Sequence, residues 1–506
     1  MAKMKLDLSA YLVTDSTMIP ESSSFLSQVQ QAVENGVTIV QLREKNISTR
    51  DFIDRAKDVL KITRPRGVPL IINDRVDVAL AVDADGVHVG QDDMPARIVR
   101  QLIGPHKILG VSCGNEEETT EVCEQKVADY VGLGTLYPTQ TKDVKNVCGP
   151  IGVRRSLQVL KKYKEQGTYV QSVAIGGINS SNASKVMYQC RVPGYAVNGV
   201  AFVSCIMAAP DATQATKKLL DQLKNSPPWV TASTATLESL QSKPLVHHIT
   251  NNVVKHFSAN VTLAVGGSPI MSELPDEFDE LASLPLPTAL VINLGTPSST
   301  LMSVFLEGIK VYNNHGRPIV FDPVAAGASK ARLDACRVLL NAGQVSVIKG
   351  NLGEILAIDK LTSSSPFAKE ANLMRGVDSV AEMGPAEISE VCKRVALEFQ
   401  CVVTVITGEV NHIFDGTRPD SQVVTIQGGS PLMGSVVGTG CALGSVIGVF
   451  VACAQAQKAQ LGQAVELALK VYNSAGRQAA VDHKQGLGSY MIKFLDELSE
   501  SAKPYA

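Results

Sequence analysis

Eight short apolar segments recur through the first 226 residues, each followed by a stretch of helical periodicity, and this alternation constrains the fold more than any other feature. They fall near Tyr11–Val13, Val37–Leu42, Leu70–Ile72, Gly86–Val89, Ile108–Val111, Tyr130–Leu133, Ser172–Ile175 and Tyr195–Val197. Apolar runs this short, bounded by turn residues and alternating with helices, read as buried parallel strands joined by helical crossovers. Eight strand–helix units in about 225 residues predict a closed (β/α)8 barrel of the TIM type.

The pattern changes after Asn225-Ser-Pro-Pro-Trp-Val-Thr-Ala-Ser-Thr-Ala-Thr236. Two prolines stop helix propagation there, and the Ser/Thr/Ala run offers a core little to bury. Two domains are expected, residues 1–226 and 237–506. In the second, apolar strands at Ala289–Asn293, Pro318–Asp322, Val345–Lys349 and Val402–Thr407 are widely and irregularly spaced, which predicts an open α/β sheet layered by helices. No repeat relates the halves.

Charge and cysteine usage narrow the function. Lys plus Arg total 47 against 49 Asp plus Glu, a net charge of -2, so no global basic field serves nucleic acid or an anionic membrane, and anionic ligands must be held by local groups. Residues 421–457 are charge-free and long enough to span a bilayer, but their seven glycines argue instead for a strand, a glycine turn and a buried helix. The ten cysteines form no CxxC pair, which argues against a zinc site or a disulfide framework and for a reducing compartment. Asp7 precedes any long apolar run, so a secretory signal is not expected and the cytoplasm is.

Polar residues stand at the end of almost every strand of the first domain, where barrels place their chemistry. Gln41-Leu42-Arg43-Glu44-Lys45 follows the second strand, and its alternation puts Gln41, Arg43 and Lys45 on one face. Inward cations are costly unless an anionic ligand compensates them, although a salt-bridged rim gives the same pattern. Asn73-Asp74 and Gly90-Gln91-Asp92-Asp93 end neighbouring strands, so Asp74 and Asp93 can converge as oxygen ligands for magnesium, whereas Asp92 reads as a helix cap. Ser112, Thr139-Gln140-Thr141-Lys142, Gly176-Gly177 and Val203-Ser204 end the later strands, and the last two suit a phosphate. His88 lies within a strand and reads as structural.

QLREK, NDRVDVALAVDADGVHVGQDD, GVS, PTQTK, AIGGI and the final VS, in this order, resemble the thiamine phosphate synthase family along the whole first domain. That family joins hydroxymethylpyrimidine diphosphate to hydroxyethylthiazole phosphate and releases diphosphate. The resemblance implies that Gln41, Leu42, Arg43, Glu44, Lys45, Asn73, Ser112 and Lys142 hold the pyrimidine diphosphate, with Mg2+ on Asp74 and Asp93. It implies the thiazole phosphate at Thr139, Gln140, Thr141, Gly177, Val203 and Ser204. The absence of an obvious nucleophile agrees, because the thiazole nitrogen brings its own lone pair and the leaving diphosphate is what needs stabilising.

In the second domain, Gly438-Thr-Gly-Cys-Ala-Leu-Gly444 reads as a glycine turn opening a helix, whose free N–H groups suit a phosphate in transfer; tight helix packing produces similar sequences. It lacks the GxxxxGK[ST] spacing of a P-loop. With HHITNNVV, GGSPIM, FDPVAAG, KGNLGE, RGVDS and TGE, it resembles the hydroxyethylthiazole kinase family, of ribokinase-like fold, a three-layer α/β/α sandwich. The resemblance implies phosphorylation of hydroxyethylthiazole by ATP, with Cys441 at the catalytic-base position, Asn251, Val253, Met271 and Gly438 around the thiazole, Lys349 and Thr407 at ATP, and Asp322 and Glu354 near Mg2+. Lys349 stands where the family usually carries Arg, so a bidentate grip becomes a point charge. The helix start is expected to lower the Cys441 pKa. The expected partners are small molecules and a second copy of the chain, through the kinase domain. A ligand-sensing protein and a kinase for another small alcohol, such as a sugar or pyridoxal, are the rival readings; retained metal carboxylates oppose the first, and Cys rather than Asp after GTG the second.

Overall fold

The computed structural model describes residues 6–137, 147–225, 235–237, 239–240, 243–362, 365–366, 374–375, 378–379, 383–481 and 486–505. The chain divides into two compact units, Met1–Pro227 and Pro228–Ala506.

Unit one contains strands β1 (Ala10–Val13), β2 (Ile39–Leu42), β3 (Leu70–Asn73), β4 (Gly86–Val89), β5 (Ile108–Cys113), β6 (Tyr130–Leu133), β7 (Gln171–Ile175), β8 (Arg191–Val192), β9 (Tyr195–Ala196) and β10 (Gly199–Phe202). Eight of them close a parallel barrel in the order β1-β10-β7-β6-β5-β4-β3-β2. The strand expected at Tyr195–Val197 is not a stave. Tyr195 and Ala196 pair antiparallel with Val192 and Arg191 in a separate ribbon, and Gly199–Phe202 closes the barrel between β1 and β7. Pro193-Gly194, with Gly194 at φ 72°, turns the ribbon, so the apolar Tyr-Ala-Val run is spent on a hairpin.

Alternation along each strand creates two cores. Leu12, Val40, Leu42, Leu70, Ile72 and Val131 face outward into the layer filled by the helices. Tyr11, Val13, Ile39, Ile71, Ile108, Tyr130, Val173 and Ala201 fill the inside. Side-chain caps from Ser24, Ser48 and Asn115 fix where three crossover helices begin, and thereby the lengths of the loops at the barrel mouth.

Unit two contains β11 (Leu245–Ile249), β12 (Ser268–Ile270), β13 (Thr288–Asn293), β14 (Ile319–Asp322), β15 (Val347–Asn351), β16 (Met374–Arg375), β17 (Asp378–Ser379), β18 (Val403–Thr407), β19 (Val410–Asp415) and β20 (Val424–Gln427). One eight-stranded sheet runs β12-β11-β13-β14-β15-β18-β19-β20, parallel up to β18 and antiparallel after it. Helices Lys255–Ala264, Thr439–Ala456, Leu461–Ala480 and Leu487–Ala502 form one packed group, and those from Phe278–Ser283 to Pro385–Phe399 form another. The result is an open sheet between helical layers. The charge-free stretch resolves into β20, a turn and the helix Thr439–Ala456, 78% of which is buried inside the unit.

Candidate active sites

The barrel site begins at neighbouring strand ends. Asn73 pairs in register with His88, and the next residue, Asp74, turns at φ 61°, its N–H donating to the His88 carbonyl at 2.8 Å. This left-handed geometry, which Asp tolerates better than most residues, brings its carboxyl against that of Asp93. Burial first, then the hydrogen bond and charge of Asp93, raise Asp74 to about 6, with Arg43 and Asn73 pulling it back. Asp93 also accepts from the Gly90 N–H at 2.7 Å. Two carboxyl groups crowded in this way suit a divalent cation that neutralises both. Among the described residues no cluster of three or more His, Cys, Asp or Glu side chains forms, which fits a cation sharing its ligands with a substrate phosphate.

Arg43 is the cation whose charge acts on Asp74. Its NH1 lies 3.8 Å from Asp15, while its buried NH2 has no hydrogen-bond partner. An orphaned guanidinium donor is costly and points to an anion that completes it. Two members of the expected QLREK set belong elsewhere. The Leu42 side chain is fully buried in the outer core, because alternation turns it away from the mouth. Glu44 is held by Ser16 at 2.8 Å and by Arg55 at 2.6 Å, so its carboxylate braces the loop. Lys45 is exposed, and Gln41 and Ser112 are tied to groups inside the barrel. Gly177 takes φ 65° and its carbonyl accepts from Asn182 at 2.9 Å; Val203 and Ser204 start the short helix after β10. Thr139, Gln140, Thr141 and Lys142 lie outside the described residues.

In unit two the strand ends converge on a buried charge cluster. Lys349 Nζ lies 2.7 Å from Asp322 Oδ2 and donates at 2.8 Å to the Gly440 carbonyl in the first turn of Thr439–Ala456. Asn293, which sequence reasoning passed over, links Asn251 (2.9 Å) to Asp322 (3.1 Å). It is a polar residue ending an apolar strand, the same signal that marked Asn73. Asp322 Oδ1 is buried without a hydrogen-bond partner. Glu354 accepts from the Ala325 and Asn351 N–H groups at 2.9 and 2.8 Å, and burial followed by the Asp322 charge raises it to about 7. An orphaned carboxylate oxygen beside a second raised carboxyl suits a cation here as well. Thr407 pairs in register with Asn351 and donates to the Gly350 carbonyl at 3.2 Å.

Gly438 caps the helix at φ 93°, a conformation that requires glycine, and Cys441 sits in the first turn. The expected lowering of its pKa does not occur. Burial raises the thiol to about 11, Asp322 and Glu354 push the same way, and Lys349 and Asn293 oppose them. Loss of water and nearby carboxylates outweigh a helix terminus. Val253 is 73% exposed and Met271 partly so, and Asn251 is half-buried. Of the RGVDS segment, residues 375–379, only Arg375, Asp378 and Ser379 are among the described residues.

Comparison with known proteins matches these units separately and together. Residues 10–206 match the family described as thiamine monophosphate synthase, and residues 237–503 the hydroxyethylthiazole kinase family. The chain is 41% identical to the thiamine biosynthetic bifunctional enzyme of Saccharomyces cerevisiae, covering 98% of this chain and 96% of the relative. It is 40% identical, with the same coverage, to the probable thiamine biosynthetic bifunctional enzyme of Schizosaccharomyces pombe. The thiamine-phosphate synthase of Clostridium novyi is 44% identical over 43% of this chain and 98% of its own. A match this long, over both units in one order, makes the chain a member of the family of bifunctional thiamine biosynthetic enzymes, thiamine phosphate synthase joined to hydroxyethylthiazole kinase.

Proposed function

We propose that each activity is carried by its own unit, residues 1–226 for the synthase and 237–506 for the kinase, and that the strand-end residues described above are their working parts. The crowding of Asp74 against Asp93 beside the unpaired Arg43 NH2 carries the reading of the first site. Gln41, Arg43, Lys45, Asn73 and Ser112, with Lys142, hold the pyrimidine diphosphate; Gly177, Val203, Ser204 and the 139–141 segment hold the thiazole phosphate. The thiazole nitrogen attacks the methylene carbon of the pyrimidine, the C–O bond to diphosphate breaks, and Arg43 and the lysines stabilise the departing charge. Mg2+ held by Asp74 and Asp93 would supply further charge neutralisation on that leaving group.

In the kinase unit, Asn251, Val253, Met271 and Gly438 surround the thiazole alcohol, and Lys349 and Thr407 face ATP. The alcohol oxygen attacks the γ-phosphorus, the bond to ADP breaks, and the alcohol proton passes to the thiolate form of Cys441, a minor species at neutral pH because burial raises the thiol to about 11. Asp322 and Glu354 are the groups that would hold Mg2+ there, and the N–H groups from Gly438 to Cys441 receive the transferring phosphate. The product is the phosphate that the synthase unit consumes. A cytoplasmic setting accords with ten free cysteines, and a homo-oligomer through the kinase unit accords with Val253 and Val437 exposing about three-quarters of their surface.

The test supplies the full chain with hydroxyethylthiazole, ATP, Mg2+ and pyrimidine diphosphate, and follows both products. Cys441→Ala should stall before thiazole phosphate, and Asp74→Ala should accumulate it without forming thiamine phosphate. Accumulation in the Cys441 variant, or its absence in the Asp74 variant, overturns the division of labour.

A further inference from the structure

A line of buried hydrogen bonds crosses the inside of the barrel between two residues of the proposed pyrimidine site. Gln41 Nε2 donates to the Tyr11 hydroxyl at 2.8 Å, the Tyr11 and Tyr130 hydroxyls are 2.6 Å apart, Tyr130 lies 2.9 Å from His88 Nδ1, and His88 Nε2 lies 2.9 Å from Ser112 Oγ. Taken from the Gln41 N–H, the line has one direction in which each hydroxyl gives one hydrogen bond and takes one. Tyr11 accepts from an N–H, so its own proton goes to Tyr130; Tyr130 then donates to His88 Nδ1, which leaves the imidazole proton on Nε2 to be donated to Ser112. Ser112 Oγ is thereby an acceptor inside the barrel, and its proton is directed to a partner outside the line. Among the described residues nothing takes that proton.

The backbone is adapted to the line. Gly110, on β5, lies under the Tyr130 ring and His88: a Cβ there would overlap the Tyr130 hydroxyl end and come within 2.5 Å of His88 Nδ1. Gly132, on β6, leaves room in the same way, since its Cβ would stand 3.3 Å from His88 Cε1. Both tyrosines are fully buried, and burial raises both hydroxyl pKa values, so they remain protonated donors. A polar chain in the middle of an apolar barrel layer brings no packing advantage over Phe and Leu, which points to a role at its ends.

We propose that Tyr11, Tyr130 and His88 are positioning residues of the synthase site, a one-way hydrogen-bond relay that holds the Ser112 hydroxyl as a donor to a ring nitrogen of the pyrimidine substrate and couples it to Gln41. This rests on the reading of Gln41 and Ser112 as pyrimidine-site residues. A hydroxyl without the relay is free to rotate; with it, one lone pair is engaged by His88 and the proton is turned away from the line, towards the substrate. The relay acts on the pyrimidine and leaves the thiazole phosphate untouched.

The test is a double-mutant cycle in the full chain between Tyr130→Phe, which removes one hydroxyl and keeps the ring, and Ser112→Ala. Tyr130→Phe should lower kcat/KM for pyrimidine diphosphate about tenfold, the worth of one hydrogen bond, while KM for thiazole phosphate stays at the parent value. In the Ser112→Ala background the same substitution should change kcat/KM less than twofold, because the group through which it acts is gone. A full tenfold loss in both backgrounds, or an equal rise in both KM values, overturns the relay and leaves the site assignment standing. A Ser112→Ala enzyme as fast as the parent overturns the site assignment and the relay together. Should Tyr130→Phe fail to fold, Tyr11→Phe interrupts the same line one step earlier and is read by the same criteria.

Discussion

Lys349 and Asp322 form an ion pair with 2.7 Å between Nζ and Oδ2, and only 4% and 1% of their side chains are exposed. Burial works against both charges, and each offsets the cost for the other. Removing one partner therefore leaves an uncompensated charge in the core. Lys349→Met should lower the stability of the kinase unit by about 3–5 kcal/mol. Chemical denaturation followed by circular dichroism checks this, with synthase activity in the same sample marking the transition of the barrel unit. An unchanged midpoint would mean the pair is solvated in solution.

Cys441 lies among groups that favour the neutral thiol, with its pKa raised to about 11. A general base contributes about 10²–10⁴-fold, and the remaining catalysis falls to positioning. Cys441→Ala should slow single-turnover phosphorylation by that factor with little change in thiazole binding. Cys441→Asp should retain or raise the rate and flatten its rise between pH 6 and 9, since even a carboxyl raised as far as Glu354 ionises well below the thiol. An Ala variant as fast as the parent would remove Cys441 from the chemistry.

Asp74→Ala should abolish thiamine phosphate formation at ordinary Mg2+ and leave phosphorylation of the thiazole alcohol intact. The measurement is a Mg2+ titration of each activity. Normal turnover of this variant at low Mg2+ would disprove the metal assignment to Asp74 and Asp93.

His248 is buried in β11 beside Ser445 at 2.9 Å, and desolvation followed by the neighbouring His247 lowers its pKa to about 3. The unfolded chain binds a proton near pH 6.5 that the folded unit refuses, so stability falls as pH drops below that value. From pH 7 to pH 5 this group alone should remove about 2 kcal/mol. His248→Gln should show a shallower acid dependence of its unfolding midpoint. An identical slope in the two proteins would mean that a proton reaches His248 in the folded state.

The strand ends were legible because each closes an apolar run with a polar residue, and parallel β/α topology sends all such ends to one side. That signal led to Asn73, Asp74 and Asp93, whereas Asp322 and Lys349 came from the resemblance to the kinase family. The apolar runs misled at Tyr195–Val197, where a triplet serves a hairpin; Leu42, which only the resemblance brought in, faces the helices as strand alternation requires. The Tyr11–Tyr130 pair was invisible for another reason. Each tyrosine reads as an ordinary strand residue, and only barrel closure brings together hydroxyls separated by 119 positions. The Cys441 thiol went the other way from expectation because a local rule about helix starts competes with burial, which sequence does not reveal.

Closure has a consequence for how the two units survive crowding. The barrel's ring of strands has no free rim, whereas the open sheet ends in two selvedges onto which a stray extended chain could add and start an aggregate. One is the three-residue β12, interrupted by Pro269, which has no N–H to offer. The other is the solvent-facing Val-Thr-Ile-Gln of β20, and there Asn473 and Arg477 reach over from the helix Leu461–Ala480 to occupy the Gln427 carbonyl. Those two side chains guard the end of the strand, so this flank is shielded against sticky neighbours by side chains where the other relies on brevity and proline.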